Sequence, residues 1–199
     1  MSILVKICGL RDAEQVAAAV AAGANAIGFV FAESVRRVTP GAAREAALKI
    51  PAGIRRVAVM RHPANDEWAE VLEVFAPDVL QTDADDFATL LLPDNLARWP
   101  VIREGGPMAD EDLINEFVYE GVNSGRGESV DWSQAANISA RGRMILAGGL
   151  SAENIATAIQ TVRPYGVDVS SAVESRPGEK DSDLIRQFIR AVRTAEKDL

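Results

Sequence analysis

Short apolar, β-branched runs alternate with longer alanine- and leucine-rich amphipathic stretches about eight times along this chain. No other feature of the sequence constrains its fold so strongly. Runs of four to six such residues suit strands covered on both faces, and parallel neighbours need helical crossovers between them. The runs predict strands over Ile3 to Cys8, Ala26 to Phe31, Arg55 to Met60, Val79 to Thr82, Val101 to Glu104, Phe117 to Gly121, Met144 to Gly148 and Gly166 to Ser170. Helices are expected between them, most clearly over Asp12 to Ala22, Pro40 to Lys49, Asn65 to Phe75, Ala152 to Val162 and Asp181 to Ala195, each with polar residues or proline near its start. The pattern weakens after Asp83.

Eight units in 199 residues leave about 25 residues each, near the lower limit for a (β/α)8 barrel. No Pro/Ser-rich linker or shift of composition divides the chain, so a single barrel domain over residues 1–199 is expected. The formal net charge of −8 argues against a nucleic-acid partner, which requires a clustered basic surface, and leaves room for a local phosphate pocket. One cysteine forms no internal disulfide, and neither a signal pattern nor an apolar run of about 18 residues is present, so a cytoplasmic protein without membrane partners is expected.

In such barrels the chemistry sits at the C-terminal ends of the strands. Collecting those ends brings together Cys8 and Gly9, the Glu33 to Arg37 loop, Gln81 to Asp83, Arg103 and Glu104, Glu120, Gly148 and Gly149, and Ser170 and Ser171. A free cysteine is more often buried filler than a reactive thiol; Cys8 stands out because it ends a strand on this shared rim. Gly148 and Gly149 leave backbone N–H groups unobstructed, Ser151 is placed to cap the next helix, and small residues follow the last strand at Ser170 to Ala172. Both loops suit an anion such as phosphate. The glycine-bearing stretch from Tyr119 to Trp132 reads equally as a lid or as a plain connection.

The stretches VKICGL (5–10), AIGFVFAESVRRVTP (26–40), DVLQ (78–81), VDW (130–132), ILAGGLSAENI (145–155) and GVDVSSAVESRPGEKD (166–181) together resemble the phosphoribosylanthranilate isomerase family, in order and over nearly the whole chain. The resemblance implies an Amadori rearrangement of N-(5-phosphoribosyl)anthranilate to 1-(2-carboxyphenylamino)-1-deoxyribulose 5-phosphate in tryptophan biosynthesis, with no cofactor and no metal. It implies a small phosphoribosyl substrate, and a monomer or homodimer. It implies Cys8 as general base, with Lys6 two residues back on the same strand face as a source of positive charge. Arg36, Gln81 and Asp168 are the implied substrate-binding residues, and Gly148, Gly149, Ser170, Ser171 and Ala172 the implied phosphate site.

The family's general acid is an aspartate at the end of the sixth strand, where this chain has Glu120. Lid closure is expected to dehydrate Glu120 and favour its protonated form. Further departures are Val35 for proline, Thr82-Asp83-Ala84 for Leu-His-Gly, and Ala172 for glycine, which matters if that position needs φ > 0. His62, in RHPAND, reads as a turn. Two alternatives stay open: a relative acting on another phosphosugar, and a non-catalytic paralogue that retains the phosphate loops.

Overall fold

The computed structural model describes residues 2–108, 115–122 and 130–199. Eight parallel strands close into a barrel in chain order: β1 (Leu4–Cys8), β2 (Ala26–Val30), β3 (Arg55–Val59), β4 (Val79–Asp83), β5 (Ala97–Arg103), β6 (Glu116–Glu120), β7 (Arg143–Leu146) and β8 (Gly166–Val169). The helices are α1 (Ala13–Ala22), α2 (Pro40–Ala47), α3 (Asn65–Phe75), α4 (Trp132–Ser139), α5 (Ile155–Val162) and α6 (Ser182–Ala195). A two-stranded hairpin, β9 (Glu174–Arg176) and β10 (Glu179–Lys180), stands between β8 and α6.

The period-two alternation of each strand sorts its side chains between two cores. Leu4, Ala26, Val57, Val79, Trp99, Val118 and Ile145 meet inside the barrel. The alternate residues, among them Val5, Ile27, Phe29, Leu80, Phe117 and Val167, pack under the helices. Most helices begin where a polar side chain takes an otherwise unpaired N–H. Asp12 accepts from Gln15, Thr39 from Ala42, and Asp181 from Asp183 and Leu184.

Strand boundaries differ from expectation most at β5, which begins at Ala97 rather than Val101. Pro100, which lacks an N–H, lies within this strand opposite Thr82 of β4. Pairing with β6 begins only at Val101, so the proline precedes that ladder. Helix α5 starts at Ile155, three residues later than expected, because Ser151 opens a turn in which its carbonyl accepts from Asn154 and Ile155. The Ser151 hydroxyl is therefore not the cap of α5.

After β4 the chain forms a short 3-10 turn over Ala84–Ala88. This segment is fastened to α3: the Trp68 indole N–H donates to Leu91 O at 3.1 Å, and Asn65 bonds both Thr89 O and Leu91 N. Trp68 is 1% exposed. Trp68→Ala is expected to lower the unfolding free energy by about 3–5 kcal/mol, and Trp68→Phe by clearly less, since it keeps most of the apolar volume and loses mainly the bond to Leu91. Urea denaturation of both variants measures the difference.

Candidate active site

The inward-facing residue at or near the C-terminal end of each strand lines a single cavity at the top of the barrel. Cys8, Gln81, Arg103, Glu120, Asp168 and Ser170 all face it, with Arg36 reaching in from the β2–α2 loop. Most of the sequence-identified rim thus converges in space; Gly9, Val35, Arg37, Thr82, Glu104 and Ala172 are not among the residues lining the cavity, and the stretch 123–129, the centre of the expected lid, lies outside the described residues. Arg55 and Arg56, a competing anion site by charge alone, begin β3 at the opposite end of the barrel and pair with Glu116 and Asp78.

Cys8 ends β1 and is buried against Lys6 and Gly28. Lys6 is completely buried, and its ammonium lies 2.7 Å from Asp168 Oδ2. Burial pulls the Lys6 proton affinity down, but Asp168 and Cys8 outweigh it and hold Lys6 above its ordinary value. Burial also pushes the Cys8 thiol up, and Lys6 offsets this only in part. The lysine's charge is shared with Asp168, which limits what it does for the thiol.

Gly28 was not singled out by sequence reasoning. A Cβ there would stand 3.0 Å from Lys6 Cε and 3.1 Å from Cys8 Sγ, so the bare backbone makes room for both groups. A glycine inside a strand, as in AIGFV, was the available signal.

Asp168 Oδ1 and Gln81 Oε1 are buried and have no hydrogen-bond partner among the described residues. Both residues line the cavity, so these are acceptors awaiting a donor from within it. Glu120 lies beside its register partner Arg103, whose Nη1 is 2.6 Å from Glu120 Oε1. The same guanidinium reaches Asp83 Oδ1 through Nη2 at 2.5 Å. Asp131 is occupied differently, accepting from Ser133 and Gln134 as the cap of α4.

The two small-residue loops face the cavity beside these groups. Gly148 and Gly149 have φ of 92° and 62°, and Asn154 shapes their loop by donating to Gly149 O at 2.7 Å while accepting from Ser151 N at 2.8 Å. Among the described residues, the N–H groups of Gly148, Gly149, Ser171 and Ala172 donate to no acceptor. Unpaired N–H groups of this kind on adjoining loops suit a phosphate. Ala172 has no positive φ and sits in a 3-10 turn over Ser171–Val173, so its methyl imposes no backbone strain. His62 does form a turn, at φ 47°, with its ring between Asp86 and Asp83.

A closed parallel barrel whose C-terminal rim joins a thiol, a carboxyl group and a ring of unpaired amides defines an enzyme acting on a small anionic molecule. Residues 5–191 match the family model for N-(5'-phosphoribosyl)anthranilate (PRA) isomerase, and the chain belongs to that family. The N-(5'-phosphoribosyl)anthranilate isomerase of Listeria monocytogenes is 38% identical over 98% of this chain and 100% of its own. That of Pseudomonas fluorescens is 40% identical over 94% and 97%. Among solved structures, phosphoribosyl anthranilate isomerase from Thermus thermophilus superposes with a TM-score of 0.83 at 29% identity, covering 96% of this chain and 99% of that one. A phosphoribosyl anthranilate isomerase in complex with reduced 1-(o-carboxyphenylamino)-1-deoxyribulose 5-phosphate gives 0.79 at 28% identity, with the same coverage.

Sequence reasoning also passed over Glu174, which binds Arg36 through both oxygens, at 2.7 Å to Nε and 2.9 Å to Nη2, and Lys180 at 2.6 Å. Burial raises the Glu174 carboxyl, but its bonds to Arg36 and Lys180 prevail and bring it from 4.5 down to about 2. Its folded value lies below its unfolded one, so its stabilisation is complete above pH 4.5 and is lost as pH falls toward about 2. Glu174→Gln is expected to melt at lower temperature than the parent near neutral pH, and the gap is expected to close between those two values. Thermal melts across that range check this.

Proposed function

We propose that this isomerase rearranges N-(5-phosphoribosyl)anthranilate to 1-(2-carboxyphenylamino)-1-deoxyribulose 5-phosphate, with Cys8 as general base and Glu120 as general acid. One observation carries the reading: thiol and carboxyl face the same cavity from β1 and β6, and Arg36, Gly148, Gly149 and Ser171 line it with them. Phosphate is assigned to the amides of Gly148, Gly149, Ser171 and Ala172, assisted by the hydroxyls of Ser170 and Ser171. Arg36 receives the anthranilate end, and Gln81 and Asp168 bind the sugar between them.

In the first step the aniline nitrogen pushes its lone pair into the bond to C1 as the C1–O4 bond breaks, and Glu120 gives its proton to the departing ring oxygen. The Cys8 thiolate then removes the proton from C2, and the electron pair moves toward the iminium nitrogen to leave an enolamine. Proton return to C1 and loss of the C2 hydroxyl proton produce the ketone. The sequence changes no oxidation state overall and needs only an acid, a base and fixed geometry.

Arg103 and Glu120 face the cavity as a pair. In this reading substrate entry parts Glu120 from Arg103, and Asp83 offers the guanidinium a second carboxylate. The remaining attributes follow the same reading: one barrel domain over 1–199, a monomer or homodimer, and a cytoplasmic location. Among the described residues no helix is long and apolar enough to cross a membrane.

Cys8→Ala and Cys8→Ser are expected to lower turnover by about 10²- to 10⁴-fold while binding of the reduced product analogue is nearly retained. Because the thiol is held above its ordinary value and the thiolate is the active form, kcat/KM of the parent is expected to keep rising with pH through neutrality into the alkaline range. Near-full activity in Cys8→Ser refutes the assignment. Glu120→Gln is expected to abolish ring opening and Glu120→Asp to keep turnover, both read as kcat/KM on phosphoribosylanthranilate. A parent without isomerase activity would instead favour a binding protein.

A further inference from the structure

The β9–β10 hairpin contributes no residue to the chemistry above, yet two of its side chains join the parts of the site that do. Lys180 is fully buried in its side chain and donates to Ser170 O at 2.9 Å, to Ser170 Oγ at 3.2 Å and to Glu174 Oε1 at 2.6 Å. Ser170 Oγ in turn donates to Cys8 O at 3.0 Å. Glu174, only 4% exposed in its side chain, grips Arg36 in the two-pronged manner described.

We propose that Glu174 and Lys180 are positioning residues for substrate recognition: Glu174 fixes the guanidinium that receives the anthranilate carboxylate, and Lys180 ties that carboxylate clamp to the phosphate loop at Ser170. The proposal rests on the isomerase reading for what the two ends of the pocket bind. Three features support it. Arg36 has five N–H donors, of which Glu174 takes two on one edge, leaving the others to form a second fork for a planar anion. The Arg36 stem is laid against Gly9, where an added Cβ would come within 2.5 Å of Arg36 Cδ, so the side chain is held along its length as well as at its head. The hairpin tip is seated on the same loop as Arg36, since a Cβ at Gly178 would lie 2.9 Å from Val35 O.

A hairpin needs no buried charges to be fastened down. Apolar residues of similar volume do so without removing an ammonium and a carboxylate from water. What a satisfied buried polar network adds is one definite arrangement of its members. Here that network joins Arg36 to Ser170, so the spacing of the two anion sites is set by Glu174 and Lys180.

The test compares Glu174→Gln, Lys180→Met and Lys180→Arg with the parent. It uses titration calorimetry with two probes, inorganic phosphate and reduced 1-(o-carboxyphenylamino)-1-deoxyribulose 5-phosphate, together with kcat and KM on phosphoribosylanthranilate. Glu174→Gln is expected to weaken the analogue about 10- to 100-fold, with KM rising in step, kcat changing by much less, and the Kd for phosphate unmoved. Lys180→Met is expected to weaken both probes, and Lys180→Arg to recover part of the loss. Unchanged analogue affinity in Glu174→Gln overturns the proposal, as does equal weakening of both probes there, which marks general loosening of the fold. Should Lys180→Met fail to fold, the near-isosteric Glu174→Gln decides alone. A parent that neither binds the analogue nor turns over substrate refutes the isomerase reading; the phosphate arm then judges the Lys180 tie, which stands if Lys180→Met binds phosphate more weakly and falls if it does not.

Discussion

Closure of β8 onto β1 is the constraint on which the rest of the molecule depends. The register sets Lys6 against Asp168, and their side chains form a buried ion pair across the seam, 162 residues apart in sequence. A buried pair of this kind is a weak source of stability, because both charges leave water to form it. Its effect on the rim is more direct. Two residues further along lie Cys8, which ends β1, and Ser170, just past the end of β8, and the Ser170 hydroxyl donates to the Cys8 carbonyl. One closure therefore fixes the thiol, the Asp168 carboxylate and the start of the loop after β8 relative to one another.

From that seam the site grows outward through paired charges rather than through apolar packing. Glu174 joins the β2 loop to the β8 loop, and Arg103 joins β4 to β6 through Asp83 and Glu120. The middle of the barrel is apolar and the opposite end is closed by Arg55, Glu116, Arg143 and Trp99, so the polar rim sits on a rigid plug. Rigid strands carrying the chemistry and loops carrying recognition is the division of labour this architecture permits.

The barrel itself was legible because hydrophobic periodicity is local: each strand announces its own buried faces, whatever its partner. The rim was legible for the same reason, since strand ends follow from strands, and Cys8, Glu120, Gly148 and Ser170 all face one cavity as that logic requires. What could not be read was pairing. Nothing near Arg36 names Glu174, 138 residues away, as the carboxylate that orients it. Nothing near Glu120 names Arg103, because their contact depends on the register between β5 and β6. Local signals misled where two devices overlap: Pro100 lies within β5 because β6 pairs only beyond it, and Ser151 opens a turn before α5 instead of capping it.

The replacement of the family aspartate by Glu120 is best understood through that same register. Added length moves a carboxyl group by about 1.5 Å, enough in a reacting geometry to cost about a hundredfold in rate if nothing corrects it. Here the carboxyl is steered by a guanidinium on the next strand, which Asp83 holds from the other side. Asp83 is itself one of the positions where the chain departs from the family pattern. The two departures are thus joined through one arginine. A longer side chain whose carboxyl group is held by a charged neighbour has less freedom than its extra torsion suggests. In this chain the placement of the Glu120 carboxyl group thus depends on the register that sets β5 beside β6.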